Sequence, residues 1–239
     1  GAYASALLVM RLNLPFLVAL LLAGVIAAVL ATLVTLPIWR LGGHYVSMAT
    51  LALGYIVLSV IRGWDALTKG AYGLSGIPAP EILGLRLLVA EDHYQLDLVV
   101  LAITLFVVFR IRSSHLGNVL AAVGSDEIAS RSLGLRTRGY KALAYALAAF
   151  FAGMAGALLA HQYNYLDPTV FTVQMSVLVL TIVVLGGINS PFGAVLGSLA
   201  LVGLPEALRL APDVRILLYG IVVIAIIRFL PHGLWTRRA

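Results

Sequence analysis

The feature that most constrains this chain is the run from Leu14 to Leu36, 23 residues without one charge. As a helix at ~1.5 Å per residue it reaches about 34 Å, against a bilayer core of ~30 Å. In lipid the backbone must satisfy its own hydrogen bonds, so such a run crosses as a helix. Further apolar runs follow at His44–Ile61, Leu96–Phe109, Ala142–Ala160, Val173–Leu185, Ala194–Leu208 and Ile216–Ile227. A shorter run, Ala4–Met10, is interrupted by Arg11 and reads as the tail of a helix. The expected fold is all-α: a polytopic transmembrane helical bundle of about seven spans plus an N-terminal helix stub, forming a single membrane domain over residues 1–239.

Composition agrees. Only 11% of residues are charged and 62% are hydrophobic, where a soluble domain carries roughly 25% charged residues. The mean hydropathy is +1.03. With no cysteine, disulfides, thiol chemistry and Cys-ligated zinc are excluded. The net charge of +6 raises the question of nucleic acid. Its distribution answers against it, because the basic residues sit in short segments beside apolar runs, the positive-inside pattern of a chain in a bilayer.

That pattern orients the chain. Alternating crossings put Arg40, Arg110, Arg112, Arg131, Arg136, Arg138, Lys141, Arg228, Arg237 and Arg238 on one side, opposed there only by Asp126 and Glu127. The other side holds Arg11, Arg62, Lys69, Arg86, Arg209 and Arg215 among most of the acids. Ten basic residues against six make the first side cytoplasmic, with the C-terminus. The mixed loop at 63–95 then lies outside the cell.

The segment 113–138, lying between two spans, has structure of its own. Leu116, Val119, Leu120 and Val123 repeat at helical spacing. Ser114 is placed to cap that helix and Gly124 to break it. Ser125 is placed to cap a second helix, with Asp126 and Glu127 in its first turn, where negative charge complements the helix dipole. Gly134 follows Leu133 in the position of a C-terminal glycine cap. Two readings stay open for these two short helices: a basic docking platform, or a solvated loop with incidental helicity.

The spans carry rows of small residues. One is Ala19, Ala23, Ala27 and Ala31. Another is Ala144, Ala148, Ala152, Gly156 and Ala160, flanked by Ala149, Gly153 and Ala157. Such rows let helix backbones approach closely in lipid. No acid, Lys or Arg falls at the middle of a span, which argues against proton coupling. No phosphate-binding loop of the G-x-x-x-x-G-K-[ST] type is present. The five histidines show no metal-ligand spacing, and no catalytic cluster or cofactor site is suggested. Ser47, Thr50, Tyr55 and Ser59 are the polar members of the second span; they line a solute path or bond to backbone carbonyls.

The chain is similar to the permease subunits of bacterial branched-chain amino-acid ABC transporters, and most to the second, longer permease of the pair. The resemblance rests on Gly42–Gly54, Thr68–Pro78, Ala122–Gly134, Ala152–Ala157, Val184–Gly193 and the closing Leu230–Gly233. It implies an importer in the bacterial inner membrane, not an enzyme. The implied partners are a second permease subunit, two ATPase subunits and an extracytoplasmic solute-binding protein. Related permeases carry urea or short amides, which is the alternative solute class; a self-contained secondary carrier is a more distant one.

The resemblance also makes 113–138 the segment that couples the bundle to the ATPases, through Gly124, Ser125, Asp126, Glu127, Ile128, Ala129, Ser130, Arg131, Leu133 and Gly134. In the family motif two alanines are followed by a glycine four residues later. Here Ala129, Ser130 and Gly134 take those places, and Ile128 stands where the family has an acid. Leu133 and Ile128 are expected to enter a groove of the partner with Arg131 at the rim, and removal of Glu127 is expected to weaken the segment only modestly. Gly1-Ala-Tyr resembles a point inside an early family helix, so further spans are expected before it.

Overall fold

The computed structural model describes residues 1–38, 44–82, 85–87, 89–187 and 190–203. They form two compact units, one over Gly1–Val170 and a second from Phe171 onward. In the first unit α1 (Ala2–Leu12), α2 (Phe16–Thr35), α3 (His44–Gly63) and α4 (Asp65–Thr68) precede the loop. There follow α5 (Ala90–Arg112), α6 (His115–Ser125), α7 (Glu127–Ser132) and α8 (Thr137–Tyr163). The second unit holds α9 (Val173–Gly186), α10 (Pro191–Ser198) and a π-helical turn, Leu199–Gly203. The all-α expectation holds, with two additions: β1 (Leu74–Ser75) pairs antiparallel with β4 (Tyr165–Leu166), and β2 (Glu81–Ile82) with β3 (Leu85–Arg86).

The helix ends follow local chemistry. Asn13 ends α1 in the left-handed conformation, φ 50°, which Asn tolerates better than most residues. Pro15 then precedes α2, whose first residue is Phe16. Within α2, Thr32 and Thr35 donate their hydroxyls to the carbonyls of Ala28 and Ala31, at 2.7 and 2.6 Å. Polar side chains are thus satisfied inside an apolar helix. Thr172 caps α9 and Ser190 caps α10, each accepting an N–H from three residues on, with Pro191 at the first helical position of α10.

Among the described residues, three helices are long and apolar enough to cross a bilayer unaided: α2, α5 from Glu91, and α8. Two further pairs qualify only as bent units: α3 with the α4–Tyr72 segment, bent by 74°, and α9 with α10 and its π turn, bent by 119°. Six of the seven spans expected from sequence begin in the described residues, so the pattern there is three straight spans and up to two bent ones. The difference lies in α9 and α10. Sequence treats them as two crossings; α9 has 14 residues, short of the ~20 that a crossing needs, and the span expected at Ala194–Leu208 runs past the last described residue, Gly203. Residues 204–208 and the expected span Ile216–Ile227 lie outside the described residues, as does the closing Leu230–Gly233.

Other boundaries move outward. The span expected from Leu96 begins at Ala90, so Glu91, Asp92, His93 and Asp97 are helical. The span expected at Ala142 begins at Thr137.

The core of the first unit lies between α2 and α8, with α1 against both. Phe16, Leu20, Ala23, Met154 and Ala157 form one buried cluster, against which Leu96 and Val100 of α5 pack. Ala2, Ala6, Ala160, Leu74, Ile77 and Leu166 form another, joining α1 and α8 to the loop. On α8, Gly153, Ala157 and Ala160 are buried, and of the expected row Ala144, Ala148, Ala152, Gly156 and Ala160 only Ala148 and Ala152 are exposed. A Cβ built on Gly153 would stand 2.6 Å from the Ala27 Cβ and 2.9 Å from the Ala23 carbonyl oxygen. Contact this close needs glycine on α8 and alanine on α2. In the second unit, Gly186 and Gly193 meet backbone to backbone, so α9 and α10 fold against each other at their bend.

Candidate functional site

The segment 113–138 holds the two short helices expected of it, α6 and α7. Ser114 caps α6, its Oγ accepting from the Gly117 N–H at 3.4 Å. The predicted apolar face is real: Val119 and Val123 are buried, and α6 packs on α8. The break falls two residues later than expected. Gly124 is helical, and Ser125 ends α6 with its hydroxyl on the Ala122 carbonyl. Asp126, not Ser125, caps α7: its Oδ1 accepts from the N–H groups of Ile128 and Ala129, each at 2.9 Å. A carboxylate accepts two such bonds with its full charge, against a hydroxyl's partial one, which is the physical reason the cap shifts.

Glu127 does more than complement a dipole. Its Oε1 accepts from Arg131 Nη2 at 2.7 Å and from the buried Thr137 hydroxyl at 3.3 Å, and its Oε2 accepts from Lys141 Nζ. Arg131 Nε in turn donates to Thr137 Oγ1 at 3.1 Å. The hydrogen bond from Lys141 foremost, then that from Arg131, holds the Glu127 carboxyl below the usual carboxylate range. Glu127 thus joins α7 to the first turns of α8. Arg131 bonds to Glu127 and Thr137 while its side chain stays about half exposed.

The C-terminus of α7 is closed by Gly134 at φ 82°. The Gly134 N–H donates to the Arg131 carbonyl at 2.9 Å and the Leu135 N–H to that of Ser130 at 3.1 Å, the two bonds of a Schellman motif. Ser130 is buried beneath the helix and Ala129 is exposed. Ile128 and Leu133 are each 80% exposed. So α7 is a six-residue helix fixed at both ends that presents two large apolar side chains outward. Beside it lies a shallow groove of about 340 Å³, lined by Gly134, Leu135, Arg136, Gly139, Tyr140 and Leu143.

The candidate solute path is not gathered in the same way. Ser47, Thr50, Tyr55 and Ser59 all lie on α3. Thr50 and Ser59 are nine residues apart, and at about 100° per residue they face opposite sides. Tyr55 and Ser59 are exposed, Thr50 is half-buried, and the side chain of Ser47 lies outside the described residues.

A site that sequence reasoning missed lies at the opposite end of α8. His161 is fully buried. Its Nδ1 is 2.8 Å from the Pro78 carbonyl oxygen, and its Nε2 is 2.9 Å from Ser5 Oγ. A carbonyl only accepts, so Nδ1 carries the proton and the Ser5 hydroxyl donates to Nε2 in the neutral ring. Phe16 packs edge-on at 5.0 Å. The motif segment Thr68–Pro78 is thereby folded onto the bundle. Thr68 Oγ1 lies 2.6 Å from the Ile61 carbonyl and 2.8 Å from that of Trp64, tying the segment to the end of α3. No spacing rule could have flagged His161, whose partners are 83 and 156 residues away.

The model of the family described as branched-chain amino acid transport system / permease component matches residues 1–227. The chain belongs to that family. This permease-family chain is 34% identical over 98% of its length to the high-affinity branched-chain amino acid transport system permease protein LivM of Escherichia coli (strain K12), covering 60% of that relative. It is 33% identical over 59% of its length to the permease protein LivH of the same organism, covering 44% of it. The permease protein BraD of Pseudomonas aeruginosa is 32% identical over 59% of the chain, which covers 45% of that relative. The chain thus spans about 60% of the length of the LivM relatives it matches. No solved structure matches it. The family match and the apolar helices make this permease a multi-pass membrane protein. The matched range contains both the α6–α7 platform and the His161 cluster.

Proposed function

We propose that this chain is a membrane-spanning subunit of an ABC importer that moves branched-chain, hydrophobic amino acids across the bacterial inner membrane. It does so as a transport subunit, not an enzyme, using ATP hydrolysed by two partner subunits. A second permease of the same family completes the bundle, and a solute-binding protein delivers the amino acid from outside. The α6–α7 platform faces the cytoplasm, as does the C-terminus, and the 63–95 loop faces out. The solute class is carried over from the relatives' printed names.

The observation that carries the reading is the presentation of Ile128, Ala129 and Leu133 on a helix pinned by Asp126, Glu127 and Gly134. Large apolar side chains at 80% exposure, outside the membrane spans and on a fixed element, suit insertion into a partner's groove. A rigid two-ended helix also suits transmission of motion, which needs a physical element with two arrangements.

The test uses the assembled transporter. Ala129→Arg and Ile128→Asp place charge on the exposed face without touching a cap. ATPase subunits co-purify with the unaltered chain and are lost with either variant, and leucine uptake falls roughly tenfold or more. Urea in excess leaves leucine uptake unchanged. Retention of ATPases by both variants would remove the platform from the docking role, and competition by urea would move the solute class to short amides.

A further inference from the structure

We propose that His161 is a positioning residue of this transporter: it latches the Thr68–Pro80 segment to the α1–α8 pair, and uptake requires that latch. The proposal rests on the transport reading above.

The segment is a strap with two different ends. At Thr68 it is bonded to carbonyls in and just after the last turn of α3, and the Arg11 guanidinium reaches the Ala66 carbonyl at 3.3 Å. Between the ends, Gly70, Gly73 and Gly76 all adopt positive φ, at 58°, 72° and 76°. At Gly73 an added Cβ would meet the Leu166 carbonyl oxygen at 2.6 Å, so its backbone also lies close against β4. At the far end, the Ile77 N–H reaches the Asn164 carbonyl at 3.3 Å and the Tyr165 hydroxyl reaches the Tyr72 carbonyl at 2.9 Å. Together with the β1–β4 pair, these bonds go to residues just beyond α8. His161 differs from them because it ties the strap to two helices at once, α8 through its own backbone and α1 through Ser5.

The chemistry of the latch suits reversible release. A purely apolar contact exposes oil when it opens. Here the opened state hydrates the Pro78 carbonyl and both ring nitrogens, so the exchange of partners is nearly balanced, while the closed geometry is directional. The apolar residues Leu74 and Ile77 are covered only while the strap is seated on Ala2, Ala6 and Ala160. They therefore report its position.

The chain has no cysteine, so a single introduced thiol reads one site. In the full chain assembled with its partners, Leu74→Cys is labelled slowly by a soluble maleimide, and Tyr72→Cys, at an exposed position, quickly. Adding His161→Leu speeds labelling at position 74 roughly tenfold or more, without changing position 72 or a Val123→Cys thiol buried under α6. His161→Asn, which keeps an N–H donor where Nδ1 stands, restores slow labelling in large part. Leucine uptake falls roughly tenfold in His161→Leu and recovers in His161→Asn. Unchanged labelling at position 74, an equal rise at position 123, or full uptake by His161→Leu each overturns the proposal. The labelling needs neither ATP nor solute, so it stands even where the unaltered transporter fails to take up leucine, a failure that would count against the transport reading alone.

Discussion

Glu127 illustrates how one side chain fixes the geometry of a short helix. Its carboxylate answers Arg131 four residues on and Lys141 fourteen on, with the Thr137 hydroxyl between. Three donors on one partly exposed group hold α7 against α8. Glu127→Gln removes the charge and leaves the shape. The protection factors of the α7 amides are expected to fall by roughly fivefold in hydrogen exchange near neutral pH, corresponding to about 1 kcal/mol for a small ion-pair network. The sign with pH follows from the direction of its shift. A carboxyl lowered on folding stabilises fully above its unfolded value and loses that contribution as pH falls through the folded one. Protection in the unaltered chain is therefore flat from pH 8 to pH 5 and converges on that of Glu127→Gln in more acid solution. A constant gap down to pH 3 would show that the ion pairs carry none of the helix's stability. Sequence placed Glu127 in the first turn of a helix, correctly, and could go no further. Its link to Lys141 depends on how α8 folds back over the Schellman turn, which no local pattern encodes.

At the scale of an element, α7 is defined by its two ends. Asp126→Ala removes the acceptor for two N–H groups and is expected to cost about 1 kcal/mol. The C-terminal end offers a cleaner contrast. Gly134 and Gly139 both have open space where a Cβ would stand, but only Gly134 has positive φ. Gly134→Ala is therefore strained by backbone conformation alone, at a cost of about 1 kcal/mol. Gly139→Ala, in the first turn of α8, is neutral or stabilising by up to about 1 kcal/mol. Amide exchange across 127–140 in the two variants distinguishes them; equal loss in both would mean that space, not φ, governs the turn. The C-terminal end of this element was legible because caps are local: Gly134, like Ser114 at the start of α6, acts within four residues of itself, whereas the N-cap was expected at Ser125 and falls on Asp126. The break itself was assigned to Gly124 because glycine is the stronger breaker by propensity. The doubly bonded Asp126 cap outweighed it. For α9 and α10 sequence expects a turn over Gly186–Gly193, and α9 ends at Gly186 and α10 begins at Pro191. Whether such a turn joins two crossings or bends one depends on helix length, and apolar composition alone does not set where a helix stops.

At the scale of the molecule, the first unit is held by how closely α8 approaches its neighbours. Between α2 and α8 backbone proximity carries the packing, as expected in lipid, where the hydrophobic effect between helices is absent. The small-residue pattern announced that such packing exists but not which of its members are buried: Gly153 and Ala157 of the flanking row, and Ala160 of the main one. Both rows on α8 are rich in small residues, and only the partners decide which positions are covered. For Gly153 the partner is α2, where Ala19 and Ala23 are fully buried and Gly24 faces Phe150. Gly153→Ala sharpens this into a test. Its Cβ would lie 2.6 Å from one side-chain carbon and 2.9 Å from a carbonyl oxygen, and neither atom is the far end of a flexible side chain. The helices must separate, and overpacking of this kind costs roughly 1–3 kcal/mol. Ala152→Leu, at an exposed position on the neighbouring row, creates no such clash within the unit. Thermal unfolding of the detergent-purified chain is expected to show a clear loss for Gly153→Ala and little change for Ala152→Leu. The reverse order would mean that the Ala148–Ala152 face is the packed one and that α8 is rotated by about a quarter turn from its position here.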